Sequence, residues 1–202
     1  RPAEGRYWGW MKNRMAVGTL FAPWFATFGA GAVASFAMPL YAAGFGIDPV
    51  AVGFMIAALY TGSAIVRAPS GRLSDRIGRR PVILSGLIVE AMAISFMSIS
   101  RNLPSLMATA ILCGFGVGFT NPTGFALLSD VVPTTSRGIA MGVANSFLQA
   151  GLAVGSTSMG FVKGVFGFEW MFQTCALVIV FGSTLIFMLT RKGHHSLNQR
   201  PP

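Results

Sequence analysis

Few residues of this 202-residue chain can do chemistry, and seven of its 21 charged residues fall in two short stretches. The stretch GRLSDRIGRRP, from Gly71 to Pro81, holds four arginines and one aspartate within eleven residues. Asp75 can accept charge-assisted hydrogen bonds from Arg76, Arg79 and Arg80, or meet the exposed N–H groups of a helix start. Gly71 and Gly78 bracket it, and a glycine at Gly71 permits a sharp exit from a preceding helix. A second stretch, DVVPTTSRG from Asp130 to Gly138, pairs Asp130 with Arg137. Such residues suit an electrostatic latch between segments. They also suit a solvated basic loop that binds lipid phosphates, and the spacing alone does not choose between the two.

The elements that carry these stretches are apolar. The chain is 53% hydrophobic and 10% charged, against about 25% charged residues in a typical soluble domain. A bilayer core needs roughly 20 apolar residues per helix, and six stretches qualify: 15–43, 49–70, 81–100, 104–128, 139–162 and 169–190. Pro49, Pro81 and Pro104 stand at or next to helix starts, where a missing N–H costs nothing. The expected architecture is an all-α membrane protein with six transmembrane helices over residues 15–190. A lead-in of residues 1–14 precedes it and a tail of residues 191–202 follows. Cys113 and Cys175 sit in apolar runs without zinc or redox spacing and read as small buried hydrophobes. His194 and His195 read as part of a solvated tail, and no metal site is expected.

The net charge of +9 has a one-sided distribution. Arg1, Arg6, Lys12, Arg14, Arg67, Arg72, Arg76, Arg79, Arg80, Arg137, Arg191, Lys192 and Arg200 fall on one side of the predicted spans; Arg101 and Lys163 fall on the other. The positive-inside rule then puts both termini in the cytoplasm. It also accounts for the basic balance without a nucleic-acid partner.

Gly71, Leu73, Asp75, Arg76, Gly78, Arg79 and Arg80 match a G-x-L-x-D-R-x-G-R-R pattern, and the chain here resembles the major facilitator superfamily, whose signature lies between the second and third helices of a six-helix half. DVVPTTSRG is similar to the D-x-x-P-x-x-x-R-G connection that follows the fourth helix in that family. GLAVGSTSMGF from Gly151 loosely resembles its Gly-rich fifth-helix motif, with Ser156 where a proline is usual. The resemblance implies half of a twelve-helix transporter that carries a small solute by secondary active transport and alternating access. It implies a multi-pass protein of the bacterial inner membrane, a second six-helix half as partner, no bound cofactor, and a proton gradient as the energy source. A non-transporting membrane sensor of the same fold, or a truncated product without activity, are the alternatives. The C-terminal half is expected, because the fourth helix lacks a membrane arginine and a basic tail follows the sixth. The signature's usual strength in the N-terminal half argues the other way.

The resemblance also assigns roles. Gly71, Asp75, Arg76, Gly78, Arg79, Arg80, Asp130 and Arg137 would form a latch at the cytoplasmic face, with Asp75 as its key member. Helices one and four would line the substrate cavity, making Phe28, Ser35 and Asn121 candidates, joined by Gln149 of helix five. Helices two and five would meet the other half, helix five through small residues, Gly151 and Gly155 among them. Glu90 is the one acid within a span. It is either a proton-coupling carboxyl or, as favoured by the peripheral place expected for its helix, a structural group that is protonated or paired with an arginine such as Arg67.

Overall fold

The computed structural model describes residues 9–44 and 46–191. A short 3-10 turn, Gly9–Lys12, leads into α1, Arg14–Gly31. This helix continues through a π-helical stretch, Ala32–Ala37, and ends in Met38–Gly44. The other helices are α2 (Pro49–Ile77), α3 (Arg79–Met97), α4 (Leu103–Val131), α5 (Arg137–Phe166) and α6 (Phe168–Arg191). No strand occurs among the described residues. Among the described residues, six helices are long and apolar enough to cross a bilayer.

Side-chain caps set several starts. Asn13 Oδ1 accepts from the Met15 N–H at 3.0 Å, Asp48 Oδ1 from Val50 at 2.7 Å, and Asn102 Oδ1 from Ser105 at 2.9 Å. Each satisfies an N–H that the first turn leaves open. Pro49 and Pro104 stand in the first turns of α2 and α4, as the sequence predicts.

The expected end of the second span at Ser70 is corrected: α2 runs seven residues further, to Ile77. Polar residues alone do not stop a helix. Ser70 and Ser74 return their hydroxyls to the Arg67 and Gly71 carbonyls, both at 2.8 Å, and leave the helical bonding intact. Gly71 therefore lies inside the helix and makes no exit. The break comes at Gly78, with φ 98°, where a side chain would be strained. A helix of 29 residues is roughly 43 Å long at 1.5 Å per residue, against a hydrocarbon core of about 30 Å, so the last turns of α2 stand clear of the core. The hairpin expected between spans two and three is thus mostly helix with a one-residue turn.

The helices pack in a repeating pattern. α1 and α4 are central and touch each other. α2 packs on α4 and α5 on α1, while α3 lies against both central helices and α6 against α1 and α3. The second helix of each triplet thus joins the first helix of the other. The closest crossings use glycine. A Cβ at Gly114 or Gly118 would strike the backbone of α2, at Leu59 and Ser63, and one at Gly62 would meet the Ile111 carbonyl of α4. In the second triplet, Gly151 and Gly155 press on the Trp24 and Phe28 carbonyls, and Gly31 on Leu152. Such close approach replaces the hydrophobic drive that lipid does not supply.

Ion pairs fix which ends lie together. Arg101 at the α3–α4 turn lies 3.9 Å from Glu169 at the start of α6, and Tyr41 at the end of the first span packs on Phe168. The α2–α3 turn meets the end of α4 at the opposite end through Arg79 and Asp130. The chain therefore crosses the layer six times, and the start of α1 and the end of α6 share the basic end.

Candidate functional site

At that basic end the central residue is Arg79. Its Nε donates to Asp130 Oδ2 at 2.5 Å, and its Nη2 lies 3.7 Å from Asp75 Oδ1. One guanidinium at the start of α3 thus reaches the last turn of α2 and the last turn of α4. Asp75, expected to be the key member, is 68% exposed, whereas Arg79 is only 26% exposed. Arg137 joins from α5: its Nε donates to the Ser129 carbonyl at 3.0 Å, one of the open carbonyls near the end of α4. Arg80 turns away, with Nη2 3.3 Å from Met15 Sδ. Arg76 is exposed and makes no ion pair among the described residues. The structure therefore brings Asp75, Arg79 and Asp130 together beside Gly78, with Arg137 on the Ser129 carbonyl next to Asp130, and leaves Arg76, Arg80 and Gly71 out of the group.

The membrane-depth candidates divide differently. Phe28 is 4% exposed and stacks on Trp24 at 5.4 Å between ring centres, so it belongs to the α1–α5 packing and not to an open wall. The Ser35 side chain lies outside the described residues. Asn121 is partly buried, and its Oδ1 has no hydrogen-bond partner within the described structure; the Thr123 hydroxyl is in the same condition. Gln149 is exposed on α5, as is Asn145 one turn earlier. Gly151 and Gly155 turn inward onto α1. The small residues of α5 that do face outward include Gly138, Gly142, Ser146, Ala150 and Ala153.

A model of the Major Facilitator Superfamily matches residues 19–202. The chain belongs to this family. An MFS-type transporter of Methanocaldococcus jannaschii, itself uncharacterised, is 27% identical over 140 residues, which is 69% of this chain and 36% of the relative. Multidrug resistance protein 2 of Bacillus subtilis is 26% identical over 139 residues, or 68% of this chain and 34% of that protein. The niacin transporter NiaP of Acinetobacter baylyi is 26% identical over 165 residues, or 82% of this chain and 37% of that protein. The chain thus spans about a third of the length of these curated relatives. Membership in a transporter family and six apolar helices make it an integral, multi-pass membrane protein in contact with lipid.

For a major facilitator chain, the outward surfaces of α2 and α5 are informative. These spans have the least buried apolar windows, 33% and 22%, against 81% for the first span. The open face of α2 carries Gly53, Ala57, Thr61, Ala64 and Ala68, all exposed. The open face of α5 carries Asn145, Gln149 and Thr157 beside its small residues. The second helix was expected to meet the other half, but the residues of this α2 face were not named from the sequence, although their spacing of three and four was there to be read.

Of the structural options for Glu90, the pair with Arg67 is corrected. Arg67 is exposed on α2, while Glu90 is fully buried with neither carboxyl oxygen hydrogen-bonded within the described structure. Its carboxyl lies against the backbone of α1: a Cβ on Gly29 would meet Glu90 Oε1 at 2.5 Å. Gly116 of α4 makes room beneath its Cβ. Three residues after Gly29 the π-helical stretch of the first span begins. Glu90 thus touches both central helices, from a helix expected to be peripheral.

Proposed function

We propose that this chain is one six-helix unit of a secondary active transporter that moves a small organic solute by alternating access. A second six-helix unit closes over the faces of α2 and α5. The observation that carries this reading is the exposed polar face of α5. Asn145 and Gln149 are exposed and make no hydrogen bond among the described residues. An amide without a partner in hydrocarbon costs several kcal/mol. That face therefore suits an aqueous cavity or a polar partner, and α3 and α6, whose exposed side chains include Ile88, Met92, Phe96, Leu177 and Phe181, suit lipid. Asn121 and Gln149 are the favoured solute contacts. Relatives named for multidrug resistance and for niacin support an organic solute of modest size.

The energy source is the proton gradient of a bacterial inner membrane, and Glu90 is the group that takes up the proton. It is the one buried carboxyl among the described residues, forms no ion pair there, and touches α1 beside its π-helical stretch. The Arg79–Asp130 pair holds the cytoplasmic ends of α3 and α4 together and contributes to a latch that biases which side of the cavity is open.

Cysteine accessibility tests the carrying observation. With Cys113 and Cys175 both buried, Gln149→Cys is expected to react with a membrane-impermeant thiol reagent and Leu177→Cys to stay unreacted. Protection of both positions would remove the aqueous face and the reading with it.

A further inference from the structure

At the basic end, α1, α3, α4 and α6 do not close on one another. They leave a cleft of about 650 Å³, far larger than the voids of a packed interior and within the range of ligand sites. Leu84 of α3 and Leu127 of α4 lie within it, Ile77 and Phe187 are exposed along it, and Arg79 and Arg80 enter it at the membrane surface. Its charges do not cancel. Arg79 is bonded to Asp130 and lies near Asp75. Arg80 forms no ion pair among the described residues, and its one hydrogen bond there is to the thioether of Met15, a weak acceptor.

The cleft continues into the lipid-facing surface. Pro81, Leu84, Ile88 and Met92 follow one another on one face of α3 at spacings of three and four residues. Ile88 and Met92 are 47% and 49% exposed. From Arg80 to Met92 is roughly 18 Å of helix, close to the depth of one leaflet of a core about 30 Å thick. A guanidinium without a carboxylate thus stands at the head of an apolar track one acyl chain long.

We propose that this cleft binds one anionic phospholipid, with its phosphate on Arg80 and one acyl chain over Leu84 and down α3. The site goes beyond the transport reading and does not depend on it. Charge selects the occupant. A zwitterionic headgroup would bring a second cation against Arg79 and Arg80, and the acid lining the cleft, Asp130, is already held by Arg79 at 2.5 Å. An anionic headgroup meets only the unpaired arginine. A free phosphate would fill the mouth and leave the apolar track unused.

Native mass spectrometry of the purified chain in mixed micelles tests this, with phosphatidylglycerol and phosphatidylcholine as the probes. One phosphatidylglycerol is expected to be retained in preference to phosphatidylcholine. Arg80→Gln should lower that retention about fivefold or more, the worth of one cation near an anionic surface. Leu84→Trp keeps every charge and fills the cleft, and should lower it as well. Arg72→Gln, at an exposed arginine outside the cleft, should leave it unchanged. Equal retention of the two lipids overturns the proposal. So does equal loss in Arg72→Gln and Arg80→Gln, full retention in Leu84→Trp, or displacement of the lipid by millimolar inorganic phosphate. If Arg80→Gln fails to fold by circular dichroism, Leu84→Trp and the choice between the two lipids still decide.

Discussion

Arg79 stands at the first position of α3 and Asp130 in the last turn of α4. Each occupies the helix end whose dipole disfavours its charge. The pair offsets both penalties across a 2.5 Å contact, and Arg79 is mostly shielded from water. Asp75 gains less, at 3.7 Å and 68% exposed. Double-mutant cycles on thermal unfolding are expected to give about 1 kcal/mol or more for Arg79–Asp130 and below about 0.5 kcal/mol for Asp75–Arg79. A larger coupling at Asp75 would return the centre of the latch to that residue. Glu90 is the second test at this scale. Its carboxyl forms no ion pair among the described residues, so Glu90→Gln should leave the melting temperature nearly unchanged. In the protein carrying both units, the same change should abolish pH-driven transport and spare solute exchange. A drop in stability with both activities lost together would make Glu90 structural. The sequence showed that the charges mattered and that Glu90 was unusual. It did not show which arginine holds which acid, because Arg76, Arg79 and Arg80 carry the same charge within five residues, and only the turn at Gly78 decides where each one points.

Glycines of α5 separate the roles of its faces. Gly155 meets the Phe28 carbonyl, while a Cβ at Gly142 would have nothing within 4 Å. Gly155→Leu forces α5 away from α1, and overpacking of this kind costs about 1–3 kcal/mol or more, so the purified chain should melt earlier. Gly142→Leu should leave that melting unchanged and still impair transport in the protein with both units, if that face meets a second unit. Equal loss of stability in both variants would sink the distinction. From the sequence, Gly151 and Gly155 read as outward-facing, and the structure places them inward. In a soluble helix the polar face marks the outside. Here the lipid side and the packed side are both apolar, so small residues show that something approaches closely without showing from which direction. The six spans were legible for the opposite reason: length and hydropathy are set by the bilayer and need no partner. The extension of α2 to Ile77 was not, since nothing before Gly78 forbids a helix there.

For the whole molecule, the two ends defined by Arg79–Asp130 and by Arg101–Glu169 carry very different charge. The positive-inside rule makes the first end cytoplasmic. Cysteines at Arg76 and Thr135 should therefore label from the cytoplasmic side only, and one at Asn102 from the outside only. Labelling of positions 76 and 102 from one face would contradict both the charge count and the six crossings.

The exchange of helices between the two triplets also sets an order of assembly. α1 is made first, yet its close partners α5 and α6 are made last. Until then its glycines at Gly18 and Gly31 lack the neighbours they pack on, and much of a helix destined for burial lies against lipid or the insertion machinery. The first three helices are therefore not a folding unit, even though the pattern of the fold repeats after them. A chain stopped after Met97 should be inserted and then cleared by membrane proteases. Supplying residues 98–202 as a separate polypeptide in the same cell should rescue it, because the contacts that hold α1 are all carried by the later piece or by α1 and α3 themselves. Accumulation of the short piece on its own would show that quality control does not wait for the second triplet.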